Sequence, residues 1–328
     1  MKLALVGDIG GTNARFALWR DEQLEAVQVM ATADFPGPEQ AIAAYLRAQG
    51  LSADAIGSVC LACAGPVSGN LFRFTNNHWR IDRAAFCQAL QIDRLLMIND
   101  FSAMALGMTR VAEHERVQVC PGEPQAERPA LVIGAGTGLG VGTLLAQADG
   151  SWLVLPGEGG HVDLPIGSPR EAELWQVLYR QLGHVRAEDV LSGNGLLVLY
   201  RAICELDGQP PQHTTPAAIS AAGLAGEPVA GEVLEQFSRW LGRVAGNNVL
   251  TLGARGGVYI VGGVVPRFAE RFLASGFAKS FSDKGCMSDY LHGIPVWLVT
   301  AEYPGLTGAG VALQQASERS QDAIRQSC

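Results

Sequence analysis

The chain has 328 residues, 48% hydrophobic and 17% charged, with 40 glycines; at ~150 residues per domain this makes about two domains with a sizeable core and excludes disorder as the main state. Lys plus Arg total 24 against 32 Asp plus Glu, a formal net charge of -8, which works against broad nucleic-acid or anionic-membrane binding. Seven cysteines, scattered at 60, 63, 87, 120, 204, 286 and 328, are odd in number and form no paired disulfide framework, so a reducing cytoplasm is the expected compartment.

The N-terminal run from Met1 meets Asp8 too soon for the apolar core of a signal peptide. Lys2 to Val6 reads as a buried strand, Gly7 to Asn13 as a turn and Ala14 to Trp19 as a second strand. Asp21 to Glu25 turns toward a strand at Ala26 to Ala31, and a helix follows from Glu39 to Gln49 with Ile42, Tyr45 and Leu46 on one side. A strand at Ile56 to Ala64 ends at Gly65-Pro66. Asp82 caps a helix through Leu90, and Leu95 to Ile98 is a strand that delivers Asn99 and Asp100 at its C-terminal end.

The Pro-, Gln- and Glu-rich stretch from Pro121 to Pro129 is a surface loop and a domain edge. The long uncharged window from Pro129 to Ala148 carries glycines at 134, 136, 138, 140 and 142. So many breaks suit strands at Ala130 to Ile133 and Val141 to Ala146 around a glycine turn better than a spanning helix. A strand at Ser151 to Leu155 comes next. The hairpin openings at Leu5 to Thr12 and Val132 to Gly138 read as one device used twice.

Ser168-Pro169-Arg170-Glu171 is a helix start in which Ser caps, Pro suits N1 and Glu closes a capping box; Leu174, Val177, Leu178 and Leu182 form the buried stripe. Leu234, Phe237, Leu241, Val244 and Ala245 keep a helical period toward a strand at Val258 to Val261, which stops in Gly262-Gly263 with a helix start near Pro266. A last strand, Pro295 to Thr300, leads to a final helix around Thr307 to Ser317.

Asp8-Ile9-Gly10-Gly11-Thr12-Asn13 joins a carboxylate to a turn of little bulk, a pattern that fits either an Asp-stabilised β-turn or a phosphate cradle with Asp8 on hydrated Mg²⁺. Gly134-Ala135-Gly136-Thr137-Gly138-Leu139-Gly140 is a second flexible, uncharged loop. Neither matches G-x-x-x-x-G-K-[ST], and Val141 and Leu139 stand where a dinucleotide fingerprint needs Gly. Asn99-Asp100 follows a strand directly and reads either as an ionised carboxylate that removes a proton from a substrate hydroxyl or as a turn or helix cap. In Leu155 to Asp163, Glu158 and His161 stand among glycines and suit the hydroxyls of a polyol. Glu188 alone reads as structural. Cys60-Leu61-Ala62-Cys63 has redox spacing inside a strand pattern and reads as buried thiols. His78 and His184 read as packing or surface residues.

Together, Asp8 to Arg15, Ile98 to Phe101, Gly134 to Gly140, Leu155 to Asp163, Ala187 to Gly195 and Val258 to Pro266 resemble the bacterial glucokinase family without the zinc-binding cysteine cluster of related sugar kinases and repressors. The resemblance covers essentially the whole chain. It implies an α/β, actin-like (ribonuclease-H-like) two-domain sugar kinase fold with an interdomain cleft, the smaller domain at 1–110 plus 306–328 and the larger at 111–305. It also implies that ATP phosphorylates D-glucose at the 6-hydroxyl with Asp100 as general base. Asn99, Asp100, Glu158, His161 and Glu188 would surround the sugar. Gly7, Asp8, Ile9, Gly10, Gly11 and Thr12, with Gly134, Ala135, Gly136, Thr137 and Gly138, would hold the phosphates of MgATP, Asp8 reaching Mg²⁺ through water. Gly262 and Gly263 would lie toward the adenosine. A cytoplasmic homodimer with no nucleic-acid or membrane partner is expected; the alternatives are a broader hexose kinase, a non-catalytic sugar or nucleotide sensor, and an actin-like polymer.

Overall fold

The computed structural model describes residues 3–65, 69–74 and 76–326. The chain divides into two units, one running to Ala112 and resumed from Ala301, the other from Glu113 to Thr300.

In the first unit, the apolar opening strand β1 (Leu3–Ile9) pairs antiparallel with β2 (Asn13–Arg20), which pairs antiparallel with β3 (Gln23–Ala31). After helix α1 (Pro38–Ala48), β4 (Ile56–Cys63) joins β1 in parallel. The ribbon β5 (Leu71–Arg73) and β6 (Arg80–Asp82) and helix α2 (Arg83–Leu90) lead to β7 (Arg94–Asn99), parallel to β4, and directly into helix α3 (Asp100–Gly107). The sheet order is β3-β2-β1-β4-β7. Leu5, Ile9, Phe16, Tyr45, Trp79 and Phe86 are buried in its core. Asp82 caps α2 as its position implies, accepting the Ala85 N–H at 3.0 Å.

The second unit opens with β8 (Arg116–Cys120) and then repeats the design: β9 (Ala130–Ala135), β10 (Leu139–Ala146) and β11 (Trp152–Gly157) form an antiparallel run. Helices α4 (Pro169–Leu182), α5 (Ala187–Val190), α6 (Gly193–Leu206), α7 (Pro216–Leu224) and α8 (Pro228–Leu252) follow. Strand β12 (Val258–Val261) is parallel to β9, and after α9 (Ala269–Leu273), α10 (Phe277–Ser282) and α11 (Ser288–Leu291), β13 (Val296–Val299) is parallel to β12. The order β11-β10-β9-β12-β13 matches that of the first sheet, with β8 added antiparallel at its edge. Two glycine hairpins therefore occupy equivalent places in two sheets of one topology. Trp240 is fully buried on α8, and its ring N–H donates to the Pro165 carbonyl at 2.9 Å.

The closing helix α12 (Pro304–Gln326) packs in the first unit against α3. Gly308 and Gly107 allow this: a Cβ on Gly308 would collide with the Ala103 carbonyl, and one on Gly107 with that of Pro304. The backbones touch, so α3 is clamped along its length.

Several boundaries differ from the sequence reading. The turn expected over Gly7 to Asn13 contracts to three residues, because Gly7, Asp8 and Ile9 continue β1 with ladder partners on both sides. Likewise Gly134 and Ala135 extend β9, and the second turn is 136–138. The expected capping box at Ser168 is half formed. Ser168 Oγ accepts the Glu171 N–H at 3.2 Å, but the Glu171 carboxylate accepts from Gly167 N and is fully buried against Arg243, 2.9 Å from its Nε. Ion pairing outcompetes the cap there. Cys60 and Cys63 are buried free thiols; an odd spacing on a strand sends them to opposite faces, so they form no redox pair. Pro66 and Cys328 lie outside the described residues.

Candidate functional site

In the first unit the β1–β2 hairpin places Asp8 directly opposite Arg15 in the ladder, and Arg15 Nη1 donates to Asp8 Oδ2 at 3.3 Å. Burial pushes the Asp8 carboxyl above the ordinary carboxylate range, and Arg15 works against that shift. The turn after Asp8 has its carbonyls tied back. Asn77 Nδ2 donates to Gly10 O at 2.9 Å, and Thr32 Oγ1 lies 2.9 Å from Gly11 O and 3.0 Å from Thr12 O. Gly10 N donates to Asn13 O at 3.0 Å, so an anion arriving at this turn meets the N–H groups of Gly11 and Thr12 rather than carbonyl oxygens. Gly11 also packs on the chain, since a Cβ there would lie 2.9 Å from Asn76 O.

Asn99 and Asp100 form the junction of β7 with α3. Asn99 caps the helix, its Oδ1 accepting the Ser102 N–H at 3.0 Å, while its Nδ2 donates to Asp100 Oδ1 at 3.1 Å and Phe101 N donates to the same oxygen at 2.8 Å. Two donors thus orient the Asp100 carboxylate. Strand β4 lies between β1 and β7, so Asp8 and Asp100 stand at the carboxyl ends of strands about 10 Å apart by strand spacing. The Cys63 thiol is pushed up first by burial and then by the negative charge of Asp100 and Asp8. Ligands of α/β sheets bind at this end of the strands. The cap reading of Asn99 and the functional reading of Asp100 coexist, because capping is what aims the carboxylate.

In the second unit, Gly134 to Gly138, Gly262, Gly263 and Glu188 come together. Gly136 N donates to Gly138 O at 2.8 Å, Gly193 N donates to Gly136 O at 2.8 Å, and Val264 N donates to Ala135 O at 3.2 Å. The last of these joins the Gly262-Gly263 segment to the turn. Gly262 is left-handed, with φ +92°, and a side chain there would strike the Ala135 backbone. Gly136 and Gly263 face open space, where a Cβ would meet nothing within 4 Å. Glu188, from α5, closes the other side: its Oε2 accepts the Leu139 N–H at 2.9 Å. A Cβ on Gly138 would collide with that same oxygen.

Glu158 and His161 flank a short 3-10 turn, with His161 Nε2 3.9 Å from Glu158 Oε2 and His161 N donating to Glu158 O at 3.0 Å. Gly159 and Gly160 lie flat on β10. Side chains would strike Val141 and the Leu139 carbonyl, which explains the glycine pair between the two functional groups. Arg186 Nη1 lies 3.0 Å from His161 Nδ1. Arg15 and Arg186 touch Asp8 and His161, and the sequence motifs give neither of them a role. Arg15 was findable by counting the hairpin register from Asp8. Arg186 was findable only as an Arg-x-x-Asp pair at a helix start.

Among the described residues, no cluster of three or more His, Cys, Asp or Glu side chains could cage a metal ion, and no helix is long and apolar enough to cross a membrane. A single carboxylate beside a phosphate-type turn is the donor set that suits Mg²⁺ carried on a nucleotide, which keeps its waters and phosphate oxygens as ligands. The residues present fit that group.

The glucokinase family profile matches residues 5–316, a span that contains every candidate residue above. A glucokinase of Pseudomonas paraeruginosa is 60% identical over 96% of this chain and 93% of its own length, and one of Pseudomonas aeruginosa is 59% identical over 96% and 95%. Among solved structures, glucokinase from an Antarctic psychrotroph superposes with a TM-score of 0.87 at 36% identity, covering 96% of this chain and 99% of that one.

Proposed function

The chain belongs to the glucokinase family, and from that premise we propose that it transfers the terminal phosphoryl group of ATP to the 6-hydroxyl of D-glucose. The observation that carries this reading is the junction at Asn99-Asp100, where a helix cap and two N–H donors hold a carboxylate at the end of a parallel strand.

Asp100 acts as general base. It aligns the 6-hydroxyl and accepts its proton as the oxygen becomes a nucleophile, a role worth ~10²–10⁴ in rate. Asn99 orients that carboxylate and, with Glu158, His161 and Glu188, takes the remaining sugar hydroxyls. MgATP supplies the phosphoryl group and the cation that offsets its charge. The peptide N–H groups of Gly11 and Thr12 and of Thr137 and Gly138 would receive phosphate oxygens, with Gly10 and Gly136 closing the two turns by their own N–H bonds to Asn13 O and Gly138 O and Gly7, Ile9, Gly134 and Ala135 carrying those turns on the strands. Asp8 would hold the cation, and Gly263, with no protein atom within 4 Å of a Cβ placed there, would leave room toward the adenosine while Gly262 keeps the segment against the Ala135 backbone. Thr137 carries no charge to repel phosphate, and its hydroxyl is a hydrogen-bond donor. The reading includes a homodimer acting in the cytoplasm.

The test is magnesium-dependent ADP formation with and without D-glucose, repeated with mannose, fructose and N-acetylated hexoses. A mismatched hydroxyl strands polar groups of the site, so glucose should lead. Comparable turnover of several hexoses would make the enzyme a broader hexose kinase, and tight glucose binding without ADP would make it a sensor.

A further inference from the structure

We propose that Arg186 is a positioning residue that fixes the His161 ring as a hydrogen-bond donor through Nε2, and thereby sets the direction in which Glu158 and His161 read a sugar hydroxyl. The sugar part of this inference rests on the function proposed above.

A guanidinium has N–H donors and no acceptor. With Arg186 Nη1 3.0 Å from His161 Nδ1, that ring nitrogen must be the acceptor, and the neutral ring carries its proton on Nε2. The arginine is itself held in a fork. Its Nη2 donates to Asp189 Oδ1 at 2.6 Å and its Nε to Asp189 Oδ2 at 3.3 Å, while the Arg186 backbone N–H donates to Asp189 Oδ2 at 2.8 Å. Asp189 is largely buried, with 13% of its side chain exposed, so the fork has a fixed base.

The two segments are also laced by backbone. Ala187 N donates to Val162 O at 2.8 Å and Leu164 N to Val185 O at 3.0 Å, around a bridge between Asp163 and Arg186. Arg186 and His161 are therefore neighbours by main-chain geometry rather than by chance approach of two long side chains.

The consequence lies in the gap beyond the ring. Nε2 and Glu158 Oε2 are 3.9 Å apart, too far for a direct hydrogen bond, yet one hydroxyl oxygen at about 2.8 Å from each spans that gap at an angle near ~90°. Such a hydroxyl accepts from Nε2–H and donates its single hydrogen to the acceptor-only carboxylate. With the opposite tautomer, Nε2 and Glu158 would both be acceptors, and one hydroxyl could satisfy only one of them.

The experiment uses the full chain labelled with ¹⁵N-histidine, with ring spectra recorded at about pH 8, above the ordinary histidine range near ~6.5. His161→Ala identifies the His161 signals. Arg186→Met removes the donor but keeps the backbone N–H that bonds Asp189; Arg186→Lys keeps a donor-only group. The wild-type ring should show the Nε2–H tautomer alone and Arg186→Met a mixture. Arg186→Met should raise the glucose KM about tenfold, with kcat and the ATP KM within about twofold, and Arg186→Lys should recover most of the loss. In a His161→Ala background, Arg186→Met should add less than about twofold. An unchanged ring spectrum in Arg186→Met, or the same KM rise without His161, would overturn the proposal. A wild type that binds and phosphorylates no glucose would instead refute the functional reading, and the ring spectra would still decide whether Arg186 fixes the tautomer.

Discussion

The two glycine hairpins occupy the same place in two sheets of the same order, yet they solve the charge problem differently. The first carries its carboxylate in the strand itself, at Asp8, and answers it with Arg15 on the facing strand. The second has no charge in its own sequence and takes one from α5, where Glu188 binds the Leu139 N–H at the far side of the turn. In the proposed function, a charge built into a hairpin serves the cation carried on the nucleotide. One borrowed from a helix links the turn to whatever else that helix serves, which in the proposed function is the sugar.

The largest predicted effect belongs to neither hairpin but to Asp100, the proposed base. Asp100→Asn should lower kcat about 10²–10⁴-fold while calorimetry shows glucose affinity within a few-fold. Near-normal turnover would remove Asp100 from the chemistry.

Asp8→Asn should break the first hairpin's chemistry and relieve its energetic cost. Loss of the carboxylate should reduce turnover on the order of 100-fold at limiting Mg²⁺. Stability should move the other way. Because burial raises the Asp8 carboxyl in the folded state, the folded protein holds that proton more tightly than the unfolded chain, whose Asp sits near ~3.9. The wild type then loses stability as pH rises from the unfolded value through the raised folded value, and regains it as pH falls below both. Thermal midpoints across pH should show Asp8→Asn equal to or above the wild type at neutral pH, with the difference shrinking toward low pH. A lower midpoint at neutral pH would mean that the pairing with Arg15 outweighs the burial of the charge.

The second hairpin can be dissected at two glycines two residues apart. Gly138→Ala collides with Glu188 and should weaken glucose and ATP use together, by about tenfold or more, because a shift on the order of 1 Å in a positioned group costs up to ~10² in rate. Gly136→Ala meets no protein atom within 4 Å, so it should raise the ATP KM alone, by a few-fold, and leave the thermal midpoint unchanged. If both variants weaken only ATP use, the link through Glu188 is not functional.

The contrast also explains what was legible in the sequence. Strand β12, the cap at Asp82, the stripe of Leu234, Phe237, Leu241, Val244 and Ala245, and the presence of both glycine turns are legible, because each is set by residues near one another in the chain. The reading cut β1 at Val6, since Gly7 and Asp8 look like turn residues; their ladder partners on β2 and β4 are what keep them in the strand. The Ser168 pattern predicts a local cap for Glu171, which instead faces Arg243, 72 positions away. Glu188 looked structural in isolation because its partner, the Leu139 amide, is 49 positions away. Residues whose work is local were found by pattern. Those serving a distant backbone or a distant charge were found by family resemblance or by the fold.

The most direct test of the central claim is to follow ¹³C-labelled D-glucose with MgATP by NMR and mass, for the wild type and Asp100→Asn side by side. The wild type should yield one new phosphomonoester on carbon 6, equal in amount to the ADP formed, and the variant almost none. ADP without phosphorylated sugar, or equal product from both proteins, would contradict it.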